Sequence, residues 1–507
     1  MKAQTNTTTN MLYLTAIFFS IMLSLFAINT HGMINNDGIC YVLSAEQFAT
    51  NGLKQAMQWC GQANWPFYSV LLAFTAKLSA ISFEQSALLL GVLFDAMTVL
   101  LFVMIIRLLN PSPRYVLLGL LTILAAHNFN SARDLIVRDH GFWMCYLASL
   151  YCLLRYVKGP NWFFAIAWAA SILLASLFRI EGIVFFFLLP ICVFSLPGGI
   201  YYRLKRLFQL YVPHVVLLSA AALLMVFFKD YLHDYSGRLP ETLAKIAHSL
   251  SLISVQFHAT KTNLLQHVLP HEAVRDATLV TVLLLIIWYL IAALSHFSWV
   301  YSGILMYCRK QIRIADRQAI WVLMTYLVVN LLITTTFFAM HFFLSRRYLM
   351  AQSLILMLFV PFCLNYLIEH ANTLYRKGVL VVIIVWLLLV NSHLFYAGGD
   401  RHHYIMTAGQ WVNSFVPASE SLYTNDEFVL YYAKRHRDTF FQTMHQYQQL
   451  PATSLPTVDY MAINTKKPSA AQWLALINAS PNAVLIRRFE NKHHQQILIY
   501  HLTRGVT

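Results

Sequence analysis

Long apolar runs separated by short basic loops constrain this sequence more than any single motif in it. The first, Met11–Thr30, is long enough to cross a bilayer once at ~1.5 Å per helical residue. Others follow at Phe83–Leu109, Tyr115–Phe129, Gly141–Val157, Trp162–Phe178, Ile183–Leu196 and Leu210–Phe228. The series continues at Leu279–Phe297, Ala319–Met340, Leu349–Ile368 and Val379–Tyr396. Read as helices, these runs predict about eleven crossings. Trp65–Ser82 is apolar but short and carries Lys77, so it is expected to be an interfacial or re-entrant helix. With 58% of its 507 residues hydrophobic and only 11% charged, the chain is excluded from the soluble proteins.

The formal charge of +15 does not point to nucleic acid, because the basic residues sit in clusters between apolar runs. One alternate set of loops holds Arg107 and Arg114, Arg155 and Lys158, then Arg203, Lys205 and Arg206. The same set holds Arg309, Lys310, Arg313, Arg317, Arg376 and Lys377. The positive-inside rule makes that face cytoplasmic, together with the N-terminus. Asp37, Asp139, Glu181, Arg346 and the C-terminal tail then share the other face, the periplasmic side of a bacterial inner membrane. No small-residue cleavage site follows the first run, so it is read as retained. The Thr- and Asn-rich start, Thr5–Asn10, is expected to be disordered.

Composition turns charged and His-rich near Ala397-Gly398-Gly399. The predicted fold is therefore an all-α polytopic membrane domain over 1–397 with a small α/β domain over 398–507. External loops at 31–82 and 229–278 interrupt the first. In the second, helices are expected at Thr407–Phe415 and Glu427–Lys434. Strands are expected at Ser421–Thr424, Val458–Ile463, Ala483–Phe489 and Gln496–Leu502. About a hundred residues suffice for such a domain.

Four polar clusters fall on the external face. Asn36-Asp37-Gly38 is the first polar stretch after the first run, and a carboxylate at a membrane surface is costly unless something uses it. Asp37-Gly38 is equally an ordinary turn pair. The others are Arg133-Asp134 with Arg138-Asp139-His140, then Phe178-Arg179-Ile180-Glu181-Gly182, and Ser345-Arg346-Arg347-Tyr348. Each alone reads as a snorkelling arginine or an ion pair at a helix end. Together they read differently. Carboxylates supply bases or metal ligands, arginines grip phosphate with a planar fork, and the combination suggests chemistry on a phosphate-linked lipid.

In order and spacing these landmarks resemble the GT-C-fold integral-membrane glycosyltransferases, in the bacterial branch of protein O-mannosyltransferases and lipid A aminoarabinose transferases. The resemblance rests on the acidic loop with Asp37, on Trp65-Pro66-Phe67-Tyr68, and on Arg138-Asp139. It continues through Phe178–Gly182, Arg347-Tyr348, Gly409-Gln410-Trp411-Val412 and Tyr423-Thr424-Asn425-Asp426. It implies a transferase that moves a sugar from a polyprenyl-phosphate donor to a periplasmic acceptor, whether lipid A, another envelope glycan or a protein. Asp37 then stands as the acid that activates the acceptor hydroxyl, and Asp139 as a second acid that orients the acceptor. The two also stand as candidate ligands for a divalent metal ion, the one cofactor implied. Many relatives carry a second acid directly after the first, where this chain has Gly38, which puts a strict metal requirement in doubt.

The chemistry itself asks for a base and for cations to receive charge on the departing phosphate. Arg179, Arg346, Arg347 and Arg138 are the candidate phosphate ligands, with Glu181, Tyr348 and Lys54 in support. Neither His402-His403 nor His493-His494 reads as a metal site, since adjacent residues point apart. The competing function is a transporter or flippase of a lipid-linked glycan, which calls for mid-membrane charges and paired repeats. Of seven cysteines, Cys40 and Cys60 alone fall outside by this topology. An oxidising periplasm favours pairing them. The alternative is two buried thiols with Cα atoms too far apart to bridge.

Overall fold

The computed structural model describes residues 2–31, 33–227, 244, 248–268, 275–312, 314, 316–372, 374–392, 399–436, 455 and 458–503. Ala397-Gly398 and about half of the 229–278 loop lie outside them; within that loop the helix Ser249–His267 is described. The chain forms two compact units. One comprises Met1–Leu25, Leu89–Arg133 and Arg138–Ser392, and the other Phe26–Leu88, Asp134–Val137 and His393–Thr507.

The first unit is helical, as its apolar runs require. Among the described residues, four helices are long and apolar enough to cross a membrane: Asn10–Thr30, Phe83–Leu109, Ala277–Phe297 and Arg317–His341. A fifth is added if Arg346–Met357 and Val360–Glu369, bent by 44° at their break, make one span. Other apolar runs are present as shorter or broken helices. Ile183–Leu196, for example, is the helix Gly182–Leu188 followed by the 3-10 turn Leu189–Ser195, with Pro190 near the start of the tighter winding. The short run at Trp65–Ser82 contains the 13-residue helix Phe67–Ser79. Ala277–Phe297 leaves Ile286, Ile287, Trp288 and Leu290 about half exposed, the surface a lipid-facing helix presents.

Two features of the first unit depart from the sequence expectations. Thr5–Asn10 is helical, as the opening turns of Lys2–His31. Threonine and asparagine are weak helix formers, but extending an existing helix costs far less than nucleating one. Trp299–Cys308, which no long run signalled, is a ten-residue helix.

In the second unit the C-terminal segment folds around one mixed sheet. Its strands are β1 (Leu422–Thr424), β2 (Tyr460–Asn464), β3 (Ala483–Glu490) and β4 (Gln496–Leu502), in the order β1-β2-β4-β3. The β1–β2 pair is parallel, while β2–β4 and β3–β4 are antiparallel. Ile497 and Ile499 pack on one face with Ala408, Val412 and Val429. Leu498 and Tyr500 pack on the other with Trp473 and Ile477, as the period of two demands. The helix Ala470–Ala479 that supplies Trp473 was not expected from the sequence. The parallel β1–β2 register requires a long crossover between them.

Candidate active site

Within the first unit, the turn after the helix Trp162–Phe178 aims two charged side chains at the start of another helix. Arg179 caps Trp162–Phe178 in extended backbone, and Glu181 sits at the N-cap of Gly182–Leu188. The turn is tight enough that a Cβ on Gly182 would lie 2.6 Å from the Ser176 backbone nitrogen, so only glycine fits there. Asp139 opens the helix Asp139–Lys158, where unpaired backbone N–H groups favour a negative charge.

These pieces form one ion cluster. Arg179 Nη1 donates to Asp139 Oδ1, and the same guanidinium grips Glu181 through Nη2 to Oε1 at 2.8 Å and Nε to Oε2 at 3.4 Å. Arg347, from the first turn of Arg346–Met357, places Nη1 3.8 Å from Asp139 Oδ2. The Arg179 guanidinium stands 4.6 Å from the Tyr348 ring centroid and 5.6 Å from that of Phe142, so aromatic rings wall it off from water. Burial alone would raise the Asp139 carboxyl, but the charges of Arg179, Arg347 and Arg138 overcome it and hold it below the ordinary range. Glu181 is held down likewise, chiefly by Arg179 working against burial. Burial disfavours the Arg179 charge, yet Glu181 and Asp139 together keep its pKa above normal. Counting Arg138, three cations face two carboxylates, a surplus of one positive charge.

The structure thus brings together Asp139, Arg179, Glu181, Arg347 and Tyr348, with Arg138 acting on them by charge. Arg346 is exposed and lies outside the described ion pairs; its charge acts on His296.

Asp37 belongs to the second unit. It lies half-buried in the first turn of the helix Asn36–Asn51. Gln62 Nε2 donates to its Oδ1 at 3.3 Å. Gln62 is delivered by the short turn Gly61–Asn64, whose N-cap is Cys60, and Cys60 is disulfide-bonded to Cys40 with a Cα separation of 6.0 Å. The bridge therefore fixes both ends of the Asp37–Gln62 contact. Gly38 has no room for a side chain: a Cβ there would meet Ile34 Cγ1 at 2.8 Å and Ile136 Cβ at 2.9 Å. A second carboxylate directly after Asp37 is thus sterically excluded. Lys54 and Lys77 are both exposed, on Leu53–Gln58 and Phe67–Ser79.

Among the described residues, no three His, Cys, Asp or Glu side chains come together in a set suited to a metal ion. The Asp139 oxygens are instead engaged by arginines.

Sequence reading missed a second buried charge network in the first unit. Asp95, fully buried in the Phe83–Leu109 helix, accepts from His140 Nδ1 at 2.8 Å and lies 3.9 Å from Arg133. Arg133 Nη1 also donates to Ser24 Oγ at 2.7 Å and to the Ser20 carbonyl at 3.0 Å, and its Nε donates to Asn130 Oδ1 at 2.9 Å. Arg133 had been grouped with the surface charges, yet it is 1% exposed. The missed signal was Asp95 itself, an acid deep inside a long apolar helix, which is costly unless paired.

No family model matches the chain, and no curated protein sequence does. Among solved structures, ArnT from Cupriavidus metallidurans in the apo state is similar over 96% of this chain and 97% of that one, with a TM-score of 0.53 and 14% identity. The same protein bound to undecaprenyl phosphate is similar over the same shares, with a TM-score of 0.53 and 13% identity. This chain has the ArnT fold. An ArnT-like fold agrees with the GT-C relation read from the ordered landmarks, and it spans both units of the chain.

Proposed function

We propose that this membrane protein transfers a sugar from a polyprenyl-phosphate donor to an acceptor hydroxyl on the periplasmic side. The observation that carries the reading is the Arg179–Asp139–Glu181–Arg347 cluster, set in a fold shared with a protein crystallised with undecaprenyl phosphate. Arg179 is committed to two carboxylates and buried, so it sets the charge of the cluster. Arg347, with a third of its side chain exposed, takes the donor phosphate, helped by Arg138 and the exposed Arg346. Its planar fork matches two phosphate oxygens, and charge developing on the leaving phosphate is stabilised by cations already in place.

Asp37 is the base in this reading. Its carboxylate removes the acceptor proton as the hydroxyl attacks the anomeric carbon and the bond to phosphate breaks. A positioned carboxylate contributes roughly 10²–10⁴-fold in this role. Asp139, saturated by arginines, is an electrostatic template that orients neighbouring groups. The acceptor class stays open between lipid A, another envelope glycan and a protein.

The test is transfer of radiolabelled sugar from polyprenyl-phosphate lipids by purified protein, compared with Arg347→Lys. Lysine keeps the charge and loses the fork, so donor KM is expected to rise about tenfold. Donor binding indistinguishable from wild type would remove Arg347 from the phosphate site.

A further inference from the structure

We infer that the short helix Glu427–Tyr432 of the C-terminal segment is the positioning element for Asp37, through Tyr432 and Glu427. The inference rests on the reading of Asp37 as the base.

A helix start is usually fixed by its own cap, and this one is not. The N-cap residue of Asn36–Asn51 is Asn35, and its side chain makes no capping bond. It reaches instead to the backbone of Ile136, donating to the carbonyl at 3.3 Å and accepting from the N–H at 2.8 Å. The first turn, which carries Asp37, is therefore placed by tertiary contacts. One helix supplies two of them, on Ile34 and Asn36. Tyr432 Oη accepts the Ile34 N–H at 3.1 Å, and Glu427 Oε1 accepts from Asn36 Nδ2 at 3.1 Å. Met33 packs against the core that contains Val429 and Ala433. Behind these contacts, Tyr431 Oη donates to Glu84 Oε2 at 3.0 Å, and His436 Nε2 stands 3.7 Å from Glu46 Oε2.

The clamp is itself indexed to the sheet. Asp426 caps it by accepting from the N–H groups of Phe428 at 2.9 Å and Val429 at 3.4 Å. Asn464, at the end of β2, donates to the other oxygen of Asp426 at 2.5 Å. Lys467 holds Glu427 at 3.2 Å. On the far side, a Cβ on Gly409 would lie 2.6 Å from Tyr432 Cβ, so the helix Gly399–Phe415 backs Tyr432 directly. A rigid path thus runs from β2 through Asp426 to Ile34 and Asn36, just before Asp37. It also gives a physical reason for the Tyr423–Asp426 landmark, which touches no substrate in this reading.

Catalysis by a positioned base is sensitive to displacements of about 1 Å, which can cost on the order of 10²-fold. The experiment takes the full-length protein with Tyr432→Phe, Glu427→Ala and Glu427→Gln, each alone and combined with Asp37→Asn. Turnover is read with polyprenyl-phosphate sugars radiolabelled in host membranes, and amide hydrogen exchange is read over 34–42. Tyr432→Phe and Glu427→Ala are expected to speed exchange over 34–42 while leaving β2 and β4 protected. They are expected to lower kcat by about tenfold, a fraction of that sensitivity, without changing donor KM. Glu427→Gln, which keeps the acceptor for Asn36, restores most of the loss. In the Asp37→Asn background the clamp variants cause no further drop in the residual rate, because the group they position is already gone. Unchanged exchange over 34–42, or a tenfold loss that multiplies onto Asp37→Asn, overturns the proposal. Full activity of Asp37→Asn would instead remove the base, and hydrogen exchange would still decide whether the clamp exists.

Discussion

Asp139 and Asp37 both lie in the first turn of a helix, yet their surroundings prepare them for opposite work. Asp139 is 5% exposed and held by Arg179 and Arg347, and the surrounding cations depress its pKa. A carboxylate so stabilised gives up little when it keeps its charge and gains little by taking a proton, so it is a poor base. Asp37 is half-buried, and a neutral amide, Gln62, donates to it. The amide donor holds one carboxylate oxygen of Asp37 in place. The comparison teaches that being acidic at a helix start is not enough to name a base; the partners decide.

The largest expected effect breaks the comparison at Asp37. Asp37→Asn keeps the shape and the acceptor oxygen but removes the proton acceptor, so turnover should fall by roughly 10²–10⁴-fold with folding intact. Sugar transfer and thermal unfolding in detergent check the two halves separately. Retention of more than about a tenth of wild-type turnover would sink the assignment.

Asp139→Asn should show the reverse balance. It leaves Arg179, buried and still tied to Glu181, short of one partner. Removing one member of a buried ion cluster costs about 3 kcal/mol or more, so the melting temperature should drop clearly. An unaltered melting temperature would mean that the cluster is not holding the helix starts together.

Much of this contrast was legible in the sequence, and the part that was not has a physical cause. The motif Phe178–Gly182 announced Arg179 and Glu181 because two charges flanked by apolar runs must find partners near a membrane. Five of the candidate residues duly gather around Asp139. Arg346 was indistinguishable from Arg347 by type, since one residue's rotation about a helix decides which enters the cluster. The strands of the C-terminal domain were readable from their alternation, whereas Ala470–Ala479, short and rich in alanine, offered no clear period. The Asp95–His140–Arg133 network escaped because Asp95, inside the apolar Phe83–Leu109 run, stands 45 residues before His140 and was not weighed as a charge in need of a partner. Gly38 looked like a missing acid and is better understood as a packing requirement.

The disulfide sharpens the comparison from the Asp37 side, since the Asp139 cluster has no covalent staple. Of the two readings of Cys40 and Cys60, the structure takes the bonded one, across a separation of 20 residues. Closing such a loop is worth about 3 kcal/mol in the chain-entropy model. The paired variant Cys40→Ser with Cys60→Ser should therefore lower stability by up to that amount. It should also lower turnover, because Gln62 loses its anchor. Thiol labelling of the denatured protein gives the direct check: both cysteines should label only after reductant, and equal labelling in its absence would rule the bond out.

The smallest effect is in the pH dependence, where the two regions should move in opposite directions. Asp139 and Glu181 have pKa values below the ordinary carboxylate range. Their contribution to stability is thus present above about pH 4, the unfolded-chain value, and is lost as pH falls through their lower folded values. Asp426 is the opposite case: burial raises its pKa, with Glu427 adding to the rise and Lys467 opposing it. Its contribution is complete below about pH 4 and is lost as pH rises through its elevated folded value. Mild acidification from neutrality should therefore tighten the C-terminal segment before it loosens the Asp139 cluster. Amide exchange followed from pH 7 downward in β2 and in the start of Asp139–Lys158 would show the two responses. Asp426→Asn, which has no proton to bind, should flatten the first response and leave the second untouched. A C-terminal segment that instead loosens in step with the Asp139 cluster would show that Asp426 carries its charge at no cost, and the contrast between the two buried acids would fail.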